Sequence, residues 1–349
     1  MFCFNSDYTE GCHQKILDML TATNMEQTVG YGEDEYCKNA AKAIKKACKR
    51  DDIYVQFLVG GTQTNLTVIS AALRTHQGVL SAETGHIGVH ETGAIEATGH
   101  KVLLLPTTDG KITSKQVDDA VTAHYNDETH EHIVQPKMVY ISNPTEFGTL
   151  YTKAEMQALR EVCDKHHLYL FMDGARLGYG LCARENDLTL EDLCSLCDVF
   201  YIGGTKVGAL FGEAVIITNE DLKTDFRYIM KQHGGMLAKG RLLGIQFLAL
   251  FTDGLYFEIA GHAIALADRL REGLKELKVE FLVDSPTNQV FPILSDDVLE
   301  QLKEKYIYSY WQRVDNKHSA IRFCTSWATK TEAVEELLKD LKEYISNGQ

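Results

Sequence analysis

Phe200-Tyr201-Ile202-Gly203-Gly204-Thr205-Lys206-Val207-Gly208-Ala209 is the stretch on which the fold turns. The run from Asp198 to Ile202 reads as a short buried strand, and Ala214-Val215-Ile216-Ile217 as a second one just downstream. Between them stands a single lysine, Lys206, among glycines, where the chain and a bound group can approach closely. Burial there would lower the amine's pKa and make it a nucleophile for a carbonyl carbon. The plainer alternative is a surface lysine on a β-hairpin.

Upstream, Leu168-Tyr169-Leu170-Phe171-Met172 has the same buried-strand pattern and ends in Asp173-Gly174-Ala175-Arg176. An aspartate at the C-terminal end of a parallel strand stands where α/β proteins place ligand chemistry. A lysine for a Schiff base and an aspartate for a pyridinium nitrogen are the pair that pyridoxal 5'-phosphate requires. The aspartate keeps the ring nitrogen protonated, so the ring can accept the electrons of an α-carbanion.

Working outward, strands and helices alternate. Ile53–Val59 reads as a strand running into Gly60-Gly61-Thr62-Gln63-Thr64-Asn65, with an apolar-periodic helix from Leu66 to Leu73. A strand, a glycine turn and a helix N-terminus make an anion site from backbone N–H groups and the helix dipole. A simple helix cap is the competing reading. The stretch is neither a P-loop nor G-x-G-x-x-G. Val79-Leu80, Val102–Pro106 and Lys137–Ser142 read as further strands, the last ending in Asn143-Pro144-Thr145-Glu146-Phe147-Gly148, with helices at Lys115–Ala123 and Lys153–His166. The alternation indicates an α/β protein with a mostly parallel sheet covered on both faces. Beyond Thr218 long helices are expected at Leu237–Gly254 and Gly261–Leu277. Short strands follow at 281–283, 289–291 and 319–324, and a closing helix at Lys330–Ile345, as a small α+β domain. The division expected is an arm and first helix over 1–20, a large domain over 21–245 and a small C-terminal domain over 246–349.

Length and composition set limits. The chain has 349 residues, ample for a buried core. Its 35 basic against 49 acidic side chains give a net charge of −14, which disfavours nucleic acid and anionic membrane as partners. A substrate anion would therefore need a local cationic site. No apolar run approaches the ~20 residues of a membrane span. The first residues lack the charged and apolar segments of a secretory signal, and the nine scattered cysteines suit reduced thiols, so a cytoplasmic protein is expected. Cys194-Ser195-Leu196-Cys197 is a lone C-x-x-C in an apolar context, read as packing. His86 and His90 sit in HIGVH rather than H-E-x-x-H, so no metal site is expected.

Taken together, Ser6-Asp7, Tyr31-Gly32, Gly61-Thr62-Gln63, His86 with Glu91, Asp173-Gly174-Ala175-Arg176, Lys206 and Ile321-Arg322 resemble, in order and spacing, the threonine aldolase branch of the fold-type-I pyridoxal-phosphate enzymes, the β-eliminating lyase family. The likeness runs from Ser6 to about Val334. It implies an aspartate-aminotransferase-like large domain and a lyase that cleaves L-threonine or L-allo-threonine to glycine and an aldehyde. It also implies a homo-oligomer, dimer or tetramer, with the active site near the dimer interface. By the same resemblance Lys206 carries the cofactor, Asp173 pairs with its ring nitrogen, His86 stacks on its ring and moves protons, and Gly61 and Thr62 cradle its phosphate. Arg176 is placed near the cofactor's phenolic oxygen and, with Ser6 and Arg322, at the amino-acid substrate's carboxylate, which a guanidinium can bind bidentately. Tyr31 resembles a residue contributed across the dimer.

The chain departs from the family pattern twice. Glu146 stands where the family's aldolases usually carry a histidine facing the substrate's β-hydroxyl; it is a candidate base on that hydroxyl or the mark of a different side-chain preference. Gly234-Gly235-Met236 is followed by Leu237 rather than a phosphate-binding arginine, so Lys239 or Arg241 would have to substitute. β-Elimination or transamination of another amino acid is the alternative activity.

Overall fold

The computed structural model describes residues 1–347. Its centre is a seven-stranded sheet in the order Tyr54–Leu58, Glu213–Ile217, Val199–Gly203, Tyr169–Asp173, Gln135–Ser142, Gln77–Ala82, Lys101–Leu105. All pairings are parallel except those of Glu213–Ile217, which runs antiparallel to both neighbours. The mostly parallel sheet read from the sequence is the one observed.

Strand residues point alternately to the two faces, and both faces are dry. Leu170, Met172, Phe200 and Ile202 feed one apolar cluster, while Phe171, Val199, Tyr140 and Tyr201 feed the other. This explains why the strands read as unbroken apolar runs rather than as alternating patterns. Among the described residues no single helix is long and apolar enough to cross a membrane.

The C-terminal part has its own core, in which Phe4 joins Leu266, Leu270, Leu274, Phe323 and Leu337. His318–Cys324 pairs antiparallel with Ile293–Ser295, Ser309–Arg313 and Gln289–Val290. The N-terminal arm pairs Phe2–Cys3 with Tyr306–Ile307 of this unit. Helix Leu255–Glu276 serves both cores, with Leu255 to Ile264 in the large one and Leu266 to Leu274 in the small one.

Several boundaries differ from the sequence expectation. The helix expected from Leu66 begins at Gly61, because the polar residues Thr62 to Asn65 form its first turn and show no apolar period. The long helix expected from Leu237 spans Arg241–Phe251, and the next starts at Leu255 rather than Gly261, set off by Gly254 at φ 75°. The strand expected at 281–283 is reduced to a single bridge from Phe281 to Pro292. Ser309–Arg313, a largely exposed strand, and helix Asp296–Lys303 went unread.

Candidate active site

Six of the seven strands share one direction, so Leu58, Ser142, Asp173 and Gly203 end at one edge of the sheet, and Glu213, opening the antiparallel strand, starts there. A cleft of about 360 Å³ lies over that edge. It is the place where the strand pattern of an open α/β sheet puts ligands. Two turns press together beneath it. A Cβ on Gly174 would lie 1.9 Å from the Tyr201 carbonyl oxygen, and one on Gly203 would lie 2.3 Å from that of Ala175. Only glycine permits this approach, and it brings the Asp173 and Lys206 turns against each other.

The cleft collects Gly61, Thr62, His86, Glu146, Asp173, Arg176 and Lys206, as the sequence reading expected. Ser6, Arg322 and Tyr31 do not line it.

Lys206 follows Gly203-Gly204-Thr205. Burial pushes its amine down from the ordinary lysine value, Arg176 adds to the effect, and Asp7, Asp173 and Glu213 oppose it. Hairpin exposure is thereby replaced by a half-buried lysine lining a cleft.

Asp173 is 4 % exposed. Its Oδ2 accepts from the Tyr140 hydroxyl at 2.6 Å and from Asn65 Nδ2 at 3.2 Å, and its Oδ1 from the Ala175 N–H at 2.9 Å. Burial pushes this carboxyl up, but the charge of His86 and the hydrogen bonds, led by Tyr140's, outweigh it and hold it below the usual value. The same Asn65 amide donates to Glu91 Oε1 at 2.7 Å, and that oxygen lies 2.7 Å from His86 Nδ1. Asn65 thus links the two acids of the site. Burial lowers the His86 pKa, but the Glu91 hydrogen bond and the Asp173 and Glu91 charges raise it further, so it lies above the ordinary histidine value.

Glu146 forms part of the wall. Its Oε1 accepts from the Ser142 hydroxyl at 2.8 Å and from the His86 backbone N–H at 2.9 Å, while Oε2 is buried without a partner. Burial pushes its carboxyl up.

Arg176 is already paired. Its Nε and Nη2 hold Asp7 Oδ2 and Oδ1 at 2.7 and 3.0 Å, and Asn288 Nδ2 donates to Asp7 Oδ2 at 2.9 Å. Burial and the Asp7 charge act in opposite directions on the guanidinium, and Asp7 wins, raising its pKa. Among the described residues Arg322 has no carboxylate partner; it donates to Gln289 Oε1 at 3.0 Å and to the Asn5 carbonyl at 3.1 Å, and lies over the Trp311 ring. Ser6, between Asn5 and Asp7, is buried with its hydroxyl unpartnered. Tyr31 stands elsewhere on the surface, exposed, with the Lys231 ammonium over its ring. Arg241 Nη2 donates to the Thr23 carbonyl at 2.6 Å, and neither it nor the exposed Lys239 lines the cleft of its own chain.

Asn65 and Glu213 have no role in the sequence reading: Asn65 stands in the polar turn after the glycines, and Glu213 directly precedes the apolar run Ala214–Ile217. A lone acid opening an otherwise apolar strand was the signal for Glu213.

These residues fit pyridoxal phosphate. The N–H groups of Gly61 and Thr62 precede the first intrahelical bond, Thr64 N–H to the Gly60 carbonyl, and so are free to face an anion. A Cβ on Gly61 would come within 3.2 Å of the Tyr201 hydroxyl, so a side chain there would crowd the cradle. A buried amine and an ionised aspartate share the cleft with this cradle. Fold and site together define a fold-type-I pyridoxal-phosphate enzyme.

Comparison with known proteins agrees. The profile of the family described as beta-eliminating lyase matches residues 4–297. A low specificity L-threonine aldolase of Pseudomonas aeruginosa is 30% identical over 348 residues, covering 97% of this chain and 96% of that one. The threonine aldolase structure from Leishmania major is 44% identical with a TM-score of 0.96, covering 99% of this chain and 100% of that one. An aspartate aminotransferase of Thermus thermophilus shares the fold at a TM-score of 0.71 and 14% identity, over 99% of this chain and 91% of its own. The chain belongs to the β-eliminating lyase family and is a pyridoxal-phosphate-dependent, threonine aldolase-like lyase.

Proposed function

We propose that this lyase cleaves β-hydroxy-α-amino acids, L-threonine and L-allo-threonine among them, to glycine and an aldehyde. The observation that carries the reading is the convergence of Lys206, Asp173, His86 and Glu146 on one cleft. When bound, pyridoxal phosphate supplies the electron sink that takes up the charge left at the substrate's Cα. Lys206 would hold it, Asp173 would face its ring nitrogen, His86 would cover its ring, and Gly61 and Thr62 would cradle its phosphate.

The chain's own residues do the rest. Burial lowers the Lys206 amine below the ordinary lysine value, which favours the neutral form that attacks a carbonyl. Glu91 holds His86 by Nδ1 and leaves Nε2 free to exchange a proton. Glu146 Oε2, buried and unpaired on a carboxyl pushed up by burial, is placed to take the β-hydroxyl proton, directly or through a water shared with His86. Arg176, Ser6 and Arg322 are the groups for the substrate carboxylate. Of the two guanidiniums, Arg322 is the one without a carboxylate partner among the described residues. Orientation and charge placement are the protein's contribution.

The test is product analysis after giving cofactor-loaded protein L-threonine and L-allo-threonine separately. Glycine with acetaldehyde is the expected result, and the faster isomer defines the stereochemical preference. Ammonia with 2-oxobutyrate would replace this reading by β-elimination, with Glu146 as the residue that marks the change.

A further inference from the structure

Glu213 is an acid where its strand calls for an apolar side chain. It opens Glu213–Ile217, whose other residues are alanine, valine and isoleucine, and every residue of that strand is buried. At 3 % exposure it is a carboxyl of the kind proteins keep only with partners. None of the holding roles above uses it.

Its hydrogen bonds all run to the turn that carries Lys206. Oε2 accepts the Gly204 N–H at 3.0 Å, and Oε1 accepts the Thr205 hydroxyl at 2.9 Å. The Thr205 hydroxyl oxygen in turn accepts the Gly212 N–H at 3.0 Å, and the Tyr256 hydroxyl donates to the Gly203 carbonyl at 2.9 Å. Antiparallel register sets Glu213 opposite Gly203, the last residue of the strand leading into Lys206. Gly203, Gly204 and Thr205 are therefore each tied down immediately before the amine-bearing residue.

Each carboxyl oxygen thus receives a donor, the arrangement an anion requires. The ionisable groups around it are Lys206, Asp173 and the hydroxyls of Tyr201 and Tyr256, so Lys206 is the cation among them. Around Lys206, in turn, stand Arg176, Asp7, Asp173 and Glu213. Asp7 is already held by Arg176 and Asn288, and Asp173 by Tyr140, Asn65 and Ala175. Burial pushes the Glu213 carboxyl up, and the Thr205 hydroxyl, the Lys206 charge and the Gly204 N–H pull it back toward the ionised form.

We propose that Glu213 is the positioning carboxylate of Lys206: it clamps the Gly203–Thr205 turn that presents the amine, and it supplies the negative charge facing the Lys206 nitrogen when that nitrogen is positive. The inference rests on the reading of Lys206 as the residue that holds the cofactor.

The experiment titrates cofactor-loaded wild type and Glu213→Gln with base while the visible absorbance of the bound cofactor is followed. The midpoint at which the long-wavelength band is lost reports the proton on the nitrogen joining Lys206 to the cofactor. Glutamine keeps the size of the side chain and removes the charge, so the midpoint should fall by about one pH unit or more. A carboxylate that only braces the turn would lower the thermal midpoint and leave the titration unmoved, and that result overturns the proposal. Should Glu213→Gln fail to fold, Glu213→Asp draws the charge back by one methylene. Its midpoint is expected to fall by less, and an unchanged or raised value overturns the proposal as well. Lys206→Ala separates the two readings. A visible band that survives in that variant defeats the lysine assignment; a band lost there, with an unmoved Glu213→Gln midpoint, defeats this inference alone.

Discussion

On the floor of the cleft, Asp173, Lys206 and Glu213 come from adjoining strands of one sheet, and Asn65 carries the network on to Glu91 and His86. At the N-terminal arm, Asp7 meets Arg176 from the sheet's edge and Asn288 from the C-terminal unit, while the Asn5 carbonyl meets Arg322. Both regions bury charge, but they gather it differently. The floor is assembled by strand order and stays within the large sheet. The arm is a tie between cores, because Phe4 is packed in the C-terminal cluster only three residues from the Asp7–Arg176 pair. Damage to the floor should therefore appear first as altered chemistry, and damage to the arm as lost stability.

The largest effect that would break this contrast is at Asp7. Its side chain is fully buried, and Asp7→Ala would leave the Arg176 guanidinium, 13 % exposed, without its counter-charge. Removing one partner of a buried pair costs about 3–5 kcal/mol, so the denaturant midpoint should drop well outside error. A loss under about 1 kcal/mol is what a solvent-screened pair would give, and would mean the arm does not tie the two cores.

A smaller effect sharpens the floor side. Glu91→Gln replaces the charged acceptor that helps hold His86 above the ordinary histidine value with a neutral one, so the His86 midpoint followed by NMR of its ring protons should fall. The sign for stability follows from that direction. Because the folded value is the higher one, the contribution is fully present below the unfolded pKa of about 6.5 and is lost as pH rises through the folded value. Glu91→Gln should flatten that part of the pH–stability curve. An unmoved histidine midpoint would show that the Asn65–Glu91 bridge does not reach the ring.

The same contrast explains what could be read from the sequence. Asp173 and Lys206 each follow their own strand within a few residues, so local pattern and the rule for strand ends were enough to find them. Gly61 and Thr62 were legible as the turn between a strand and a helix even though the helix starts earlier than its apolar period suggests. Glu213 was hidden because its place beside Lys206 depends on an antiparallel register, which pattern does not reveal. Asn65 was hidden because its partners, Glu91 and Asp173, lie far along the chain. For Arg176 and Arg322 the family resemblance supplied roles, yet only the folded chain shows that Asp7 occupies one guanidinium and that, among the described residues, the other meets Gln289 and the Asn5 carbonyl rather than a carboxylate. Tyr31 lies away from the cleft of its own chain.

The most direct test of the account is Lys206→Ala, prepared with pyridoxal phosphate and followed for both visible absorbance and cleavage of L-threonine. The account predicts that the absorbance of the lysine-bound cofactor and turnover vanish together. Retained turnover in that variant would contradict it.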